Sequence, residues 1–402
     1  LSWYDMGPVS TCKLFGAVRA VTGIKNAVPL IHGPRGCAYH IGYLLTARGG
    51  RRIAVASTEL SESDVVFGAS EKLRDRIIEV DRTRKPDIIV IMSSCATSII
   101  GEDIGRVADE TSELVDAELI TVSAGGFESS QGEGYEEVMM ALIHKFCWRM
   151  EPSSKPSVNI IGEFRGGADL REVRESLSLM GVDVNCVLTS GCSIRDMTMI
   201  PAGHLNCSFC DVSGIAPCRF LEENFGTPFI HHPIPIGFSN SLRFYREVLG
   251  YLNLDYPINE EFSAFIEERD RIRAELEGLR VAVVSGPTRA VALTEFITEL
   301  RMKPVLVSMD MIGDYTLENL RGVPGLRSEI LVGVDVSDIE EAIIRTEPEL
   351  ILGGLAETRI SEVSGAPLID VMHGSSLTAG FRGAVNLGAR MCGAVYGDHD
   401  CY

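Results

Sequence analysis

No stretch of the sequence supplies the ~18 to 20 consecutive apolar residues that a membrane-crossing helix needs. The apolar runs are short and end in glycine, proline or charge, as in VPLIHGPRG and PDIIVIMSS. Positive charge is in deficit: 37 Lys and Arg stand against 56 Asp and Glu, a formal net charge of −19. Such a surface repels phosphate backbones and anionic lipid, which argues against nucleic acid and membranes as partners. It suits a protein partner with a basic face, although solubility alone also explains it. Low-complexity tracts, short-period repeats and a signal-peptide pattern are also missing, so a cytoplasmic location is the expectation. The C-x-x-C at Cys207 and Cys210 has no second pair at zinc-site spacing after it.

What is present is a long chain with scattered thiols. A length of 402 residues exceeds what one hydrophobic core normally organises. Eleven cysteines stand at 12, 37, 95, 147, 186, 192, 207, 210, 218, 392 and 401. An odd, widely spaced set reads as reduced thiols rather than a disulfide framework. Some of them will be plain core residues, because free Cys packs like a small hydrophobe.

The dominant pattern is strand, Gly-rich turn, helix, repeated. AVPLIHGPRG, RRIAVAST, PDIIVIMSS and ELITVSAGG read as strands in the first third, with IIGEDIGRVADETSEL as a helix. SVNIIGEF and VDVNCVL flank the helix ADLREVRESLSLMG, and CRFLEENFGTPFI is a helix stopping at Gly226. LRVAVVSG, KPVLVSM, ELILGG and APLIDVMHG are the strands of the last third, alternating with helices RAVALTEFITELRM and SDIEEAIIRTEP. This alternation predicts an α/β protein of three Rossmann-like units with parallel sheets. The expected divisions are 1–155, 156–278 and 279–402, at the Pro/Ser-rich EPSSKPS and after the charged helix FIEERDRIRAELEG. Ligands in such folds bind beyond the carboxyl ends of strands. That rule selects Cys37, Cys95 and His373, each following a predicted strand.

Cys12, Cys37 and Cys95 sit in STCKLFGA, HGPRGC and SSCATSIIGEDI. Thiolates are the usual ligands of iron–sulfur clusters, and the helix after Cys95 turns its positive end toward the thiol. Spacing alone leaves both readings open, structural thiols or cluster ligands. These segments, with STELSESDVVFGASEKLRDRI between them, resemble the α subunit of nitrogenase and its relatives, the component 1 family. The resemblance runs over essentially the whole chain and is strongest over 28–105, 203–232 and 370–392. It implies that Cys12, Cys37 and Cys95 bind an interface Fe–S cluster, a P-cluster (8Fe-7S) or its 4Fe-4S equivalent.

The segment GHLNCSFCDVSGIAPCRFLEENFGTPFIHH closes on the family's Glu-Glu-x-x-Gly-x-Pro, which places Cys210 on the family's cofactor-binding cysteine. DVMHGSSLTAGFRGAVNLGARM resembles the segment that supplies the cofactor's histidine, so His373 carries that role over. On its own, a lone His after a strand is usually a satisfied polar residue. One thiolate and one imidazole are too few ligands for a single metal ion and suit a large preassembled cluster. Cys186, Cys192, His231 and His232 are expected to be ordinary packing residues.

Departures from true nitrogenase narrow the expectation. In GGFESSQGEGYEE, Gln131 matches the family, but Tyr135 stands near the family's proton-delivering histidine. A phenol, with a reference pKa of about 10, is a weak donor at neutral pH. Ala356 replaces the lysine that holds homocitrate, and Val212 replaces an arginine. Ala20 aligns near the valine guarding the substrate face, which would leave room for larger substrates. Together these features resemble the methylthio-alkane reductases of the family. They imply an all-iron 8Fe-9S-C cofactor related to FeMo-cofactor, without homocitrate. The implied assembly is an α2β2 heterotetramer with a β-type (K-like) subunit, fed by an ATP-hydrolysing 4Fe-4S iron protein. The implied substrates are small thioethers, 2-(methylthio)ethanol and dimethyl sulfide, cleaved to methanethiol plus ethylene or methane near Ala20, Gln131 and Tyr135. A cofactor-maturation scaffold of the NifE type and a true nitrogenase α subunit are the alternatives.

Overall fold

The structure, a computed structural model, describes residues 12–47, 54–127, 129–162, 164, 166–354, 357–372 and 376–397. His373 and Ala356 lie outside the described residues.

Thirteen strands form three parallel sheets among the described residues. The first holds β1 (Ala27–His32), β2 (Ala56–Ser57), β3 (Ile88–Ser93) and β4 (Glu118–Val122), in the order β2-β1-β3-β4. The second holds β5 (Ser157–Ile161), β6 (Asp183–Leu188), β7 (Leu205–Ser208) and β8 (Phe229–His231), ordered β6-β5-β7-β8. The third holds β9 (Arg280–Val284), β10 (Lys303–Met309), β11 (Glu329–Val332), β12 (Leu350–Gly353) and β13 (Leu368–Asp370), ordered β11-β10-β9-β12-β13. Strands such as β3, IIVIMS, are buried throughout, which is why they read as continuous apolar runs.

Each sheet reverses its strand order once, between β1 and β3, between β5 and β7, and between β9 and β12. A crevice opens beyond the carboxyl ends of the strands at such a reversal. Cys37 and Cys95 follow β1 and β3, and Cys210 follows β7, so three of the selected thiols stand at two of these crevices.

The units do not keep separate cores. One hydrophobic cluster joins the first and second sheets, with Leu14, Val138, Leu142, Leu188 and Met197 among its members. Another joins the second and third, through Phe209, Phe244, Phe296 and Phe381. The helices Lys13–Thr22 and Gln131–Phe146 cross with their backbones in contact. A Cβ on Gly16 would lie 1.7 Å from the Gln131 carbonyl oxygen, and one on Gly134 would lie 2.0 Å from that of Lys13. Only glycine fits at both points, and the crossing fixes where Gln131 and Tyr135 stand.

Several expectations need correction. The strand expected over AVPLIHGPRG ends at His32, and Cys37 is the third residue of the helix Arg35–Ala47. The single helix expected over IIGEDIGRVADETSEL is two, Cys95–Ile100 and Ile104–Thr111. Gly101 breaks it with φ +71°, and the Asp103 carboxylate caps the second piece by accepting from Arg106 N–H. The strand expected over RRIAVAST shrinks to Ala56–Ser57. Strands β7, β8 and β11 went unread. In β7, LNCS, Leu205 and Cys207 join the hydrophobic core, while the polar Asn206 is buried on a side-chain ladder. Asn185 donates to Asn159, and Asn159 to Asn206, at 2.9 and 2.8 Å.

Candidate functional site

The loop after β1 is shaped by hydroxyl groups. Thr58 Oγ1 accepts from the Gly33 N–H at 3.1 Å and lies 3.0 Å from His32 Nδ1. Ser57 donates to the Gly33 carbonyl at 3.0 Å, and Thr97 to that of His32 at 3.0 Å. A Cβ on Gly33 would fall 2.5 Å from Ser94 Oγ. The Ser/Thr-rich segments of the sequence therefore act as fasteners, holding the start of the Cys37 helix against the start of the Cys95 helix.

Three thiols come together there. Cys12 precedes the first residue of the helix Lys13–Thr22 and makes an isolated backbone bridge to Ser130. Cys95 opens its own helix and accepts a hydrogen bond from the Gly126 N–H at 3.1 Å. A Cβ on Gly126 would stand 3.2 Å from Cys95 Sγ and 3.3 Å from Cys12 Sγ, so this glycine forms the floor between the two thiols. Burial pushes the Cys37 thiol above its ordinary range, and the neighbouring Cys95 and Cys12 push it further. Cys12 and Cys95 are exposed and Cys37 is half-buried, so the group opens to the surface. Tyr39, Phe67, Ile99 and Phe127 are also exposed along these segments. Among the described residues, no three His, Cys, Asp or Glu side chains gather around a single metal ion. The thiols are converging but spread, and a backbone N–H already points at one sulfur. That donor set fits a multi-atom Fe–S cluster better than a lone ion.

Cys210 sits in the loop after β7, where its carbonyl accepts from Ser208 Oγ at 3.0 Å and from the Gly214 N–H at 2.9 Å. Gly162, at φ +106°, lets the chain after β5 pass beside it, with a virtual Cβ 3.4 Å from Cys210 Cβ. The structure separates the C-x-x-C pair. Cys207 lies inside β7 and belongs to the hydrophobic core, where burial raises its thiol. Cys218 is likewise fully buried in the helix Ile215–Phe225.

Loops from all three sheets meet beside Cys210. Asp211 Oδ2 accepts from the Tyr315 N–H at 3.1 Å and from Thr316 Oγ1 at 2.6 Å. A Cβ on Gly132 would lie 2.2 Å from Val212 and 3.2 Å from Met311 Sδ. Gln131 Nε2 donates to Asp310 Oδ2 at 2.8 Å. Tyr135, one turn along, is buried and shares a 2.6 Å hydrogen bond with Thr189 Oγ1, just beyond β6. Ala20 is fully buried in the core between the two crossing helices. Gln131 is thus brought to the Cys210 loop, while Tyr135 points toward the end of the second sheet.

The two consecutive histidines differ. His232 is saturated, with Nδ1 2.7 Å from the Pro233 carbonyl and Nε2 accepting from Arg243 at 3.1 Å; burial holds its pKa down at about 3. His231 packs 5.0 Å from the Tyr315 ring and keeps a buried Nδ1 with no hydrogen bond. Burial lowers its pKa too, against the pull of Asp211.

The stretch following His373 is clamped. Asp169 Oδ1 accepts from the N–H groups of Thr378 and Ala379 at 2.6 and 3.0 Å, and Oδ2 accepts from Thr378 Oγ1 at 2.9 Å. Arg289 pairs with the same carboxylate at 2.7 Å and also reaches Thr378 Oγ1 at 2.9 Å. Burial works to raise this carboxyl, but Arg289 and the two N–H donors outweigh it and hold it below its ordinary range. Asp169, Thr189, Asp211 and Asp310 escaped the sequence reading because their partners lie far away along the chain.

Comparisons with known proteins agree on one family. The family described as nitrogenase component 1 type oxidoreductase matches residues 12–396. The chain is 25% identical to the nitrogenase iron-molybdenum cofactor biosynthesis protein NifE of Methanosarcina barkeri, over 93% of this chain and 86% of that protein. It is 26% identical to the nitrogenase iron-iron protein beta chain of Rhodobacter capsulatus, over 98% of this chain and 94% of the other. It is 27% identical to the nitrogenase molybdenum-iron protein alpha chain of Methanothermobacter marburgensis, over 96% and 87%. Among solved structures, nitrogenase Cp1 at pH 6.5 superposes with a TM-score of 0.88 at 20% identity, covering 97% of this chain and 93% of that one.

Proposed function

The chain belongs to the nitrogenase component 1 type oxidoreductases, and from that premise we propose that it is the catalytic α-type subunit of a methylthio-alkane reductase. In this reading Cys12, Cys37 and Cys95 hold one side of an Fe–S cluster shared with a β-type subunit, and Cys210 with His373 holds a second, larger cluster. When bound, the clusters supply the electrons and the iron surface on which a thioether is reduced. The chain's own part is placement. Gly126 keeps the floor between two thiols open, and its N–H donates to Cys95 Sγ. The crossing at Gly16 and Gly134 sets Gln131 beside the Cys210 loop. Asp169 anchors the segment that leads away from His373. We divide the chain accordingly at 155 and 278, and place the protein in the cytoplasm, in an α2β2 assembly served by an ATP-hydrolysing iron protein.

The observation that carries the finer reading is the make-up of the junction beside Cys210. Among the described residues, the side chains whose contacts bring them there, Gln131, Asp211, Val212, Asp310 and Met311, include two carboxylates. An organic tricarboxylate on the cofactor would meet like charge there. This supports an all-iron cofactor without homocitrate. The buried pairing of Tyr135 with Thr189 supports a reaction other than dinitrogen reduction, since that phenol is already engaged.

The test is anaerobic purification of the complex, metal analysis and turnover with the iron protein. Iron without molybdenum, and ATP-dependent ethylene from 2-(methylthio)ethanol, is the expected result. A second reading, a cofactor-maturation scaffold, draws on the likeness to NifE proteins. It predicts no turnover and transfer of a cluster to an apo-reductase, and that outcome would replace the first reading.

A further inference from the structure

Residues 310–315 leave β10 and lead into the helix Thr316–Arg321, and on the way they touch both other units. Toward the second unit this strap is tied by Asp211, the residue after Cys210. The Asp211 carboxylate is buried, and a single oxygen, Oδ2, accepts from both the Tyr315 N–H and the Thr316 hydroxyl. Thr316 Oγ1 in turn accepts from the Gly313 N–H at 3.0 Å. A Cβ on Gly313 would fall 2.4 Å from Asp211 Cγ, so the strap's backbone lies directly on the carboxylate. The Tyr315 ring packs on His231 at the end of β8. Toward the first unit the strap offers the Asp310 carboxylate to Gln131. It also sets Met311 Sδ 3.2 Å from where a Cβ on Gly132 would stand.

These contacts close a circuit. It runs from Cys210 through Asp211 and the strap to Gln131, and returns through Gly132 and Val212, which meet side by side. Its links are unequal. The Gln131–Asp310 bond is exposed, so water competes for both partners and the bond is weak. The Asp211–Thr316 bond is buried, short at 2.6 Å and made to a carboxylate, the stronger kind. An exposed bond can hold Gln131 only as firmly as Asp310 is itself held. Asp310 is fixed by β10 on one side and, five residues on, by the Asp211 latch on the other.

We infer that Asp211 is a positioning residue: through the strap 310–315 it sets where the Gln131 carboxamide stands relative to Cys210. The third unit thereby joins the thiol of the second to the amide of the first. The consequence for turnover rests on the reading that Cys210 holds the reducing cluster and that Gln131 faces the thioether; the latch itself does not. A neutral carboxamide that binds substrate serves ground and transition states alike, so loosening it raises KM and spares kcat.

The test uses the anaerobically purified complex carrying Asp211→Ala, Asp211→Asn, Thr316→Val or Gln131→Ala. Hydrogen exchange read by mass spectrometry should be roughly tenfold faster over 311–317 and over 131–135 in Asp211→Ala, with β3 at the parent rate. Thr316→Val keeps the shape and loses one of the two latch bonds, so it should move the same segments less. Asp211→Asn keeps an oxygen able to accept both bonds and should recover most of the protection. With 2-(methylthio)ethanol, Asp211→Ala should raise KM about fivefold with kcat within about twofold. Added to Gln131→Ala, it should raise KM no further. Faster exchange of the strap without that of 131–135, or no change in either, overturns the inference. So does an additive effect on KM, or equal damage from Asp211→Asn and Asp211→Ala. A parent complex that does not turn over the thioether refutes the functional reading instead, and the exchange measurement still decides the latch.

Discussion

Replacing Asp169 by alanine should be among the most damaging single changes outside the cysteine sites. The Asp169 carboxylate accepts three hydrogen bonds from Thr378 and Ala379 and pairs with Arg289. Both partners are buried, with 6% and 12% of their side chains exposed. Removing the anion leaves a guanidinium uncompensated in the interior, a loss of about 3–5 kcal/mol. With ~2.1 cal/mol/K of unfolding entropy per residue, this 402-residue chain should melt roughly 4–6 °C lower if it unfolds as one unit. The cost comes chiefly from the stranded charge, so Asp169→Asn combined with Arg289→Met should recover most of it. Thermal unfolding of the parent, Asp169→Ala, the single changes Asp169→Asn and Arg289→Met, and the paired variant, followed by circular dichroism in the purified complex, measures this. The reasoning fails if Asp169→Ala melts within 1 °C (about 1 kcal/mol or less) of the parent. It also fails if the paired variant loses as much as the two single changes added together.

Other expectations follow from the same geometry. Gly126→Ala puts a methyl about as close to two sulfurs as packing allows, so iron bound per chain should fall while the far-ultraviolet spectrum stays unchanged. Gly134→Ala forces a methyl onto the Lys13 carbonyl and should cost about 1–3 kcal/mol by overpacking, read as a lower denaturant midpoint. Glu136 has its pKa raised from 4.5 to about 7 by burial and by Glu133, Glu137 and Asp314. Between those values the folded chain keeps a proton that the unfolded chain has lost, so stability drains away as pH rises through that window. Glu136→Gln should flatten that slope and raise the melting temperature at pH 8 more than at pH 5, and an unchanged slope would count against it.

Much of the architecture was legible in the sequence, and for a physical reason. A parallel strand buried on both faces must be apolar along its length, so IIVIMS and VAVV declare themselves. The helix stop at Gly226 was equally plain, and the residue adopts the left-handed φ of +81°. Strands of three or four residues carry no such signal. β7 buries Asn206 against Asn159, residues that normally argue against a strand. The helix around Cys37 was hidden because Gly-Pro-Arg-Gly reads as a turn, yet Pro34 and Arg35 lead into its first turn. For the site, local motifs pointed to Cys12, Cys37, Cys95 and Cys210, but not to what surrounds them. The Gln131–Asp310 bond spans 179 positions and the Asp169–Thr378 bond spans 209. Contacts at that separation follow from how three sheets pack, which no local pattern encodes. The role of Gly126 is similar: a glycine in GGF is unremarkable until two sulfurs are seen against it.

The central claim is that thiols from separate segments hold iron at two places in one chain. Crystals of the anaerobically purified complex, measured on both sides of the iron absorption edge, test it directly. Two iron-specific density peaks are predicted, one capped by Cys12, Cys37 and Cys95 and a larger one beside Cys210. A Cys210 thiol facing a metal-free pocket, or a single non-iron ion at either place, would contradict the account.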